Sequence, residues 1–559
     1  MNEQPFRRSI RQELIVCAGI LFLATVIMLP VFIRGFPAGF DAVRHYRWTT
    51  QFNEAIGDGA LYPRWLPGAN EGQGSPAILY YAPLSFYAAA GFSLISGETL
   101  RAMALSCWLA LALSGFTMYA LSRSVLPRTL GFVTAALYMM MPYHLLDLYQ
   151  GSTVSEFWSF VWVPLLFDAV RRVSEVRSLL AMAYLALSYA LLVLTHVPVL
   201  FLTSISLAVF ALALTRNPRA LLRITASLAL GAGVGGIFLI PILFESRYIR
   251  LFFKFDYRDY FLFEHLRAAL TTTRFPSNAS PFTYLLDNDV VAFGLLAAFL
   301  VSSLLIAMGQ RYNKPDDRFA RLCFAIWVVT AFSILMTTRL TWPIWRITPG
   351  LSFLFFPYRW LVVASAGTTL LFGLSARVIM HTAGGLRVLK IAAAVIVVVL
   401  NLAIGALAVW RAPIASDGLA GGLSRRDTRE YRPVWWDGNL RSELWKTAWL
   451  IESGDAEVRA IDDTGIEQSY SVNAATHSVI MFRTLYFPGW VSRVDGKQTE
   501  VVSSEDGHIQ LNLEPGDHSL TLSFEDTKPR TAGKVASGIS LLILFGLLYR
   551  ALRTSRTAR

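Results

Sequence analysis

The chain has 559 residues, 54% of them hydrophobic and 16% charged, with a mean hydropathy of +0.47. Soluble domains carry about a quarter charged residues, so the composition excludes a soluble enzyme and points to a polytopic membrane protein. The formal net charge is +12, which in a soluble protein would hint at nucleic acid. Here Lys and Arg fall mostly in short loops between apolar spans, so topology explains them and no nucleic-acid partner is expected. The three cysteines, Cys17, Cys107 and Cys323, lie in apolar segments with neither metal spacing nor a disulfide framework.

A membrane-crossing helix takes about 20 apolar residues. The first is predicted over 14–34. Arg7, Arg8 and Arg11 precede it, which predicts a cytoplasmic N-terminus and an outer loop over 35–101. No small-residue cleavage site follows at Ile33-Arg34-Gly35, so a retained helix is expected rather than a signal peptide. The loop opens with GFPAGFDAVRHYRW, which packs Asp41, Arg44, His45, Arg47 and Trp48 closely together. A helix over 42–57 places Asp41 and His45 four residues apart, on one face. Asp41 follows a Gly/Pro loop and precedes a helical pattern, as an N-cap does. A carboxylate and an imidazole at a membrane lip also suit proton transfer. The two readings are compatible, because a cap fixes a carboxylate in place.

Residues 77–96 are apolar, Tyr-rich and broken by Pro83. Read as a span, they would invert every later loop. Read as an interfacial or re-entrant helix on the outer face, they leave the basic segments 123–128, 171–177, 216–223, 311–321, 377–390 and 550–559 all inside. The remaining spans are then predicted near 102–122, 129–142, 156–170, 179–195, 197–214, 224–243, 289–309, 321–338, 359–378, 391–410 and 533–550. With the first, about 12 transmembrane helices result, both chain ends inside.

The outer loops hold ionisable groups beside apolar spans, where charge is costly and function is the default expectation. PYHLLDLYQGSTVSE offers Tyr143, His144, Asp147 and Glu156. Glu156 opens a helix, where an acid also complements the dipole. His196 sits in a tight turn between two spans, as a site group or a satisfied turn residue. The stretch 339–360 brings Arg346, Tyr358 and Arg359 among aromatic residues. That pattern fits an interfacial aromatic belt or Arg side chains gripping a phosphate. A basic cluster over 244–274 is partly neutralised by Asp256, Asp259 and Glu264, and reads as a solvated surface.

The last outer segment divides. Residues 411–455 are Gly-, Ser- and Trp-rich and read as a linker. Over 456–530 short alternating strands are separated by turns at Asp463-Thr464-Gly465, Asp495-Gly496-Lys497, Asp506-Gly507 and Pro515-Gly516-Asp517, the pattern of an extracytoplasmic all-β sandwich domain. Residues 531–559 close the chain with a final transmembrane helix and a cytoplasmic tail, and 1–410 form the mainly α membrane domain. No P-loop, Gly-rich dinucleotide turn, HExxH, GxSxG or zinc spacing occurs.

GFDAVRHYRW, GALYPRWLPGANEGQGSP, YAPLSFY, PYHLLDLYQGSTVSE, FLFFPYRW, YFPGWVSRVDGK and LEPGDHSL together resemble the bacterial YfhO-like membrane proteins and those described as pyruvoyl-tetrahydropterin-synthase-related. The general plan resembles the GT-C superfamily of membrane glycosyltransferases. That resemblance implies a bacterial inner-membrane enzyme with its site and β-domain on the extracytoplasmic side. Its donor would be a polyprenyl-phosphate sugar, and its acceptor a hydroxyl of a glycan or lipid. Carried onto this chain, the catalytic base is Asp41, with His45 and Glu156 beside it. Arg44, Trp48, Tyr143, His144, Asp147, His196, Arg346, Tyr358 and Arg359 would bind substrate. Asp147 or Glu156 matches the second acidic position of the superfamily, which sometimes holds a divalent cation (Mg or Mn). The paired acidic motif of metal-dependent members is absent, so no metal ligand is assigned. The other reading is a non-catalytic protein that binds or exports an isoprenoid lipid or glycan.

Overall fold

The computed structural model describes residues 4–250, 261–262, 281–310, 317–348, 351, 356–380, 386–413, 429–438 and 443–557. Most of the 244–274 basic cluster and much of the 411–455 stretch lie outside them.

Among the described residues, nine helices are long and apolar enough to cross a membrane: Ile10–Arg34, Thr99–Arg123, Arg128–Gly151, Val197–Leu214, Asp287–Met308, Asp317–Met336, Pro357–Met380, Arg387–Trp410 and Lys528–Arg553. Pro218–Val234 and Gly236–Tyr248 make a tenth if counted as one span bent by 80°. The bend falls at Gly235-Gly236, a site where helices break readily. A Cβ on Gly235 would sit 2.3 Å from Val193 Cγ1, so close packing also requires glycine there.

Two more expected spans are helices of another kind. Val154–Glu175 is long enough, but it carries Glu156, Asp168, Arg171, Arg172 and Glu175. Its charges near the C-terminal end pair locally, Asp168 accepting from Arg171 (2.7 Å) and Arg172 (2.6 Å). Leu179–Val193 has 15 residues, about 22 Å at 1.5 Å per residue, short of a ~30 Å hydrocarbon core. The 77–96 stretch is two helices, Ala77–Tyr80 and Leu84–Ser96, separated at Tyr81-Ala82-Pro83. The 13-residue second piece spans about 20 Å and is also too short to cross.

The β-domain has two antiparallel sheets, ordered β1-β4-β8-β7 and β2-β3-β9-β5-β6. Here β1 is Trp449–Ser453, β2 Ala456–Asp463, β3 Glu467–Ala474, β4 Ser478–Leu485, β5 Trp490–Val494, β6 Lys497–Thr499, β7 Val502–Ser503, β8 His508–Leu513 and β9 Gly516–Phe524. Alternation along β3 buries Gln468, Tyr470, Val472 and Ala474. Asp495 (φ 52°) and Gly496 (φ 77°) turn β5 into β6, the tight hairpin that Asp-Gly predicts. The domain begins earlier than expected. β1 falls inside the stretch read as linker and pairs with β4, Ile451 opposite Ile480. Its sequence, WLIES, is short and shows no alternation in burial, three half-buried residues being followed by two exposed ones, so only the partner strand identifies it.

The first loop holds the two parts together. Trp65, Leu79 and Tyr80 share one buried cluster with Tyr470, Phe482, Phe487 and Trp490 of the β-domain. Below them Arg530, fully buried, donates to Glu245 Oε2 (3.0 Å), Glu525 O (3.1 Å) and Pro488 O (2.7 Å).

Candidate functional site

The Ala42–Gly57 helix presents Ala42, His45, Trp48, Thr49 and Phe52 to the interior, the three-and-four spacing of one helix face. Its entry is pinned. Phe40 and Asp41 donate backbone N–H groups to the carbonyls of Gln150 (3.0 Å) and Gly151 (2.9 Å), and Gly39 N–H donates to Ser152 Oγ (3.0 Å). A Cβ on Gly39 would lie 2.2 Å from Gln150 O, so this approach requires glycine. The partner turn is itself unusual, a π-helical stretch over Asp147–Gly151 followed by Ser152 at φ 51°. Such turns are frequent at functional sites.

Asp41 occupies the N-cap position, but its side chain makes no cap hydrogen bond. Its Oδ1 accepts instead from Arg44 Nη1 at 2.8 Å. The cap role therefore fails as an explanation for the carboxylate. Asp41 also interacts electrostatically with Tyr81, Tyr431, Glu156, Asp147 and Tyr358.

His45 is buried against Tyr81, Trp48 and Phe86. Its Nε2 lies 3.3 Å from Tyr81 Oη, and its Nδ1 has no partner. Burial pushes the imidazole down to about 4, with nearby Asp41 opposing and Arg44 reinforcing the shift. The ring is therefore neutral at pH 7. His196, the N-cap residue of the Val197–Leu214 helix, sits 6.2 Å from the Tyr81 ring, also with an unpartnered Nδ1. Trp48 packs edge-on against Tyr81 (4.9 Å) and Tyr431 (5.3 Å), and the Arg44 guanidinium stands 6.0 Å over its ring.

The second half of the cluster is an ion pair. Arg359 Nε donates to Glu156 Oε2 at 2.9 Å, and Tyr143 Oη donates to Glu156 Oε1 at 2.8 Å. Both Glu156 oxygens are thus engaged, which suits a positioning role rather than proton abstraction. Tyr358 stacks on Phe356 beside Arg359. Asp147 Oδ1 accepts from Thr153 Oγ1, while Oδ2 is buried without a partner. His144 stacks on Phe160 at 4.0 Å, its Nδ1 3.2 Å from Tyr138 O. Its ring is held by that packing and not by Asp147.

Arg346 is not part of this arrangement. It lies on the short Trp342–Ile347 helix and is exposed, flanked by exposed Ile344 and Ile347. The pattern of an interfacial belt describes it better than phosphate binding.

Sequence reading misses Tyr81 and Tyr431. Both are ring neighbours of Trp48, and Tyr81 also of His45. Tyr431 comes from the stretch read as linker. No local signal marks it, because its contact with Trp48 spans most of the chain.

Asp41 is paired with Arg44, Glu156 with Arg359 and Tyr143, and Asp147 with Thr153. Among the described residues no group of three or more His, Cys, Asp or Glu is arranged to hold a metal. The residues do not fit Mg or Mn.

The fold defines a polytopic membrane protein with a β-domain packed on its first loop, and the site is a buried cluster of ionisable and aromatic groups where the start of that loop meets the Asp147–Gly151 turn. Residues 78–412, more than half of the chain, match the 6-pyruvoyl-tetrahydropterin synthase related domain, a membrane-protein family, and the chain belongs to that family. The match includes Tyr81, Tyr143, Glu156, His196 and Arg359, and lies between Asp41 and the β-domain. No curated protein matches the chain.

Proposed function

We propose that this protein is a membrane glycosyltransferase that moves a sugar from a polyprenyl-phosphate carrier to a hydroxyl of a glycan or lipid on the extracytoplasmic face. One observation carries the reading. Asp41 sits at a cap position without capping, held by Arg44, and shares a buried cluster with a second arginine, Arg359.

In the proposed reaction the acceptor oxygen attacks the anomeric carbon, forming the new C–O bond. The bond from that carbon to the phosphate oxygen breaks, and polyprenyl phosphate leaves with the electron pair. The acceptor proton passes to the Asp41 carboxylate. General-base assistance of this kind contributes about 10² to 10⁴ in rate. Arg44 and Arg359 stabilise the departing phosphate in a water-poor site, where aimed charge is most effective. Neutral His45 offers Nδ1 as acceptor to a substrate hydroxyl.

The Glu156–Arg359 pair favours a second reading, in which the cleft binds or moves an isoprenoid lipid without chemistry, because Arg359 is already neutralised. Comparing Asp41→Asn with wild type in a transfer assay separates the two.

A further inference from the structure

A polar pocket of about 210 Å³ lies at the seam between the first loop and the β-domain and shares no lining residue with the Asp41 cluster. Its walls include Gly72 and Gln73 from the loop, and Asp463, Gln468, Arg483 and Thr484 from β2, β3 and β4.

Two independent features mark it. The first is backbone strain. Asn70 (φ 51°) and Glu71 (φ 66°) are consecutive non-glycine residues in the left-handed region, followed by Gly72 (φ 86°) and Gly74 (φ 88°). Side chains other than glycine occupy that region at a cost, and such strain collects at binding sites. Here the turn is locked by Asn70 Nδ2 donating to Gly74 O (2.9 Å), Gln73 Nε2 donating to Asn70 O (2.8 Å), and His508 Nε2 donating to Gln73 Oε1 (2.9 Å). The second is Arg483. Its guanidinium lies over Gly72, where a Cβ would be 3.5 Å from Cζ. Among the described residues the guanidinium has no hydrogen bond or ion pair; only the Arg483 backbone N–H is engaged, donating to Ala448 O (2.8 Å).

The donors and acceptors define the ligand. Arg483 only donates, and the Asp463 carboxylate only accepts. Gln468 Oε1 is taken by Tyr470 Oη (3.3 Å) and Thr484 Oγ1 (3.1 Å), which leaves the Gln468 amide NH2 to donate and Thr484 Oγ1 to accept. A simple anion needs donors alone and is opposed by Asp463. A vicinal diol presents a donor and an acceptor on neighbouring oxygens and satisfies both kinds of wall. The volume is below the 300–1,000 Å³ range of drug-sized ligands, so one ring fits and an oligosaccharide does not. We infer that this pocket binds a single hydroxylated sugar ring, a glycan-recognition site separate from the Asp41 cluster. The inference stands whether or not Asp41 transfers sugar; if it does, the pocket grips the acceptor glycan.

Saturation-transfer NMR on the full chain in detergent, with the methyl glycosides of glucose, galactose and mannose, tests it. At least one glycoside is expected to bind, at Kd on the order of 1 mM. Arg483→Gln and Gln468→Ala should each weaken it about fivefold or more, the effect of one lost hydrogen bond. Asp41→Asn should leave glycoside binding unchanged, so failure of the transferase reading and failure of this one are distinguishable. The inference is overturned if no glycoside binds or if inorganic phosphate displaces them. Equal binding of tetrahydropyranylmethanol, which lacks the ring hydroxyls, also overturns it. That last comparison uses wild type alone and decides the matter even if a variant fails to fold.

Discussion

Arg359 and Glu156, 203 positions apart, form an ion pair of 2.9 Å with both side chains buried. Removing one partner leaves an uncompensated buried charge, which costs about 3–5 kcal/mol. Arg359→Met is therefore expected to lower the thermal stability of the purified protein sharply. The double replacement Glu156→Gln with Arg359→Met should recover much of it, since it removes both charges. Thermal unfolding in detergent of wild type, Arg359→Met, Glu156→Gln and the double variant checks this. If the single variants are as stable as wild type, the pair is not holding the bundle.

Gly39→Ala adds one carbon where only 2.2 Å is open to Gln150 O. The expected outcome is a displaced 37–41 segment, since the backbone must shift to relieve the overlap. Asp41 moves with it, and function is lost although no ionisable group changes. Function of this variant compared with Gly57→Ala, whose Cβ meets nothing within 4 Å, measures the effect.

Arg530 joins the final helix to Glu245, Glu525 and Pro488. Arg530→Ala strands a buried carboxylate and two carbonyls, at a cost of about 3–5 kcal/mol. The β-domain should become sensitive to limited proteolysis while the other helices stay protected. An unchanged digestion pattern would contradict the anchoring role.

His45 titrates at about 4 in the folded chain, against about 6.5 unfolded. Between those values the unfolded chain holds the extra proton, so stability rises with pH across that window. Acidification from pH 7 to 4 should therefore remove roughly 3 kcal/mol through this one group. His45→Gln should flatten that part of the profile. Unfolding midpoints measured at pH 7 and at pH 4.5 for both proteins show whether it does.

Much of this was legible beforehand. Hydropathy marks the nine crossing helices among the described residues, though it also marks 179–195, whose 15-residue helix is too short to cross; period-two alternation with Asp-Gly and Pro-Gly turns marks most β-strands. The nearness of Asp41 and His45 follows from spacing, with Asp41 just ahead of the helix as its N-cap residue and His45 one turn in. What spacing does not carry is pairing across the chain. Glu156 reads as a helix-start acid until Arg359 is seen beside it, and Tyr431 reads as linker until it meets Trp48. Arg346 and Arg359 look alike in sequence, each in an aromatic stretch. Among the described residues Arg346 is exposed, whereas Arg359 is buried and pairs with the Glu156 carboxylate.

Release of polyprenyl phosphate from polyprenyl-phosphate hexoses, by the purified chain with membrane glycan or lipid as acceptor, tests the central claim most directly. Wild type is expected to release it. Asp41→Asn is expected to be slower by about 10² to 10⁴, with the same unfolding midpoint and the same donor binding. Wild-type rates from Asp41→Asn would contradict the account.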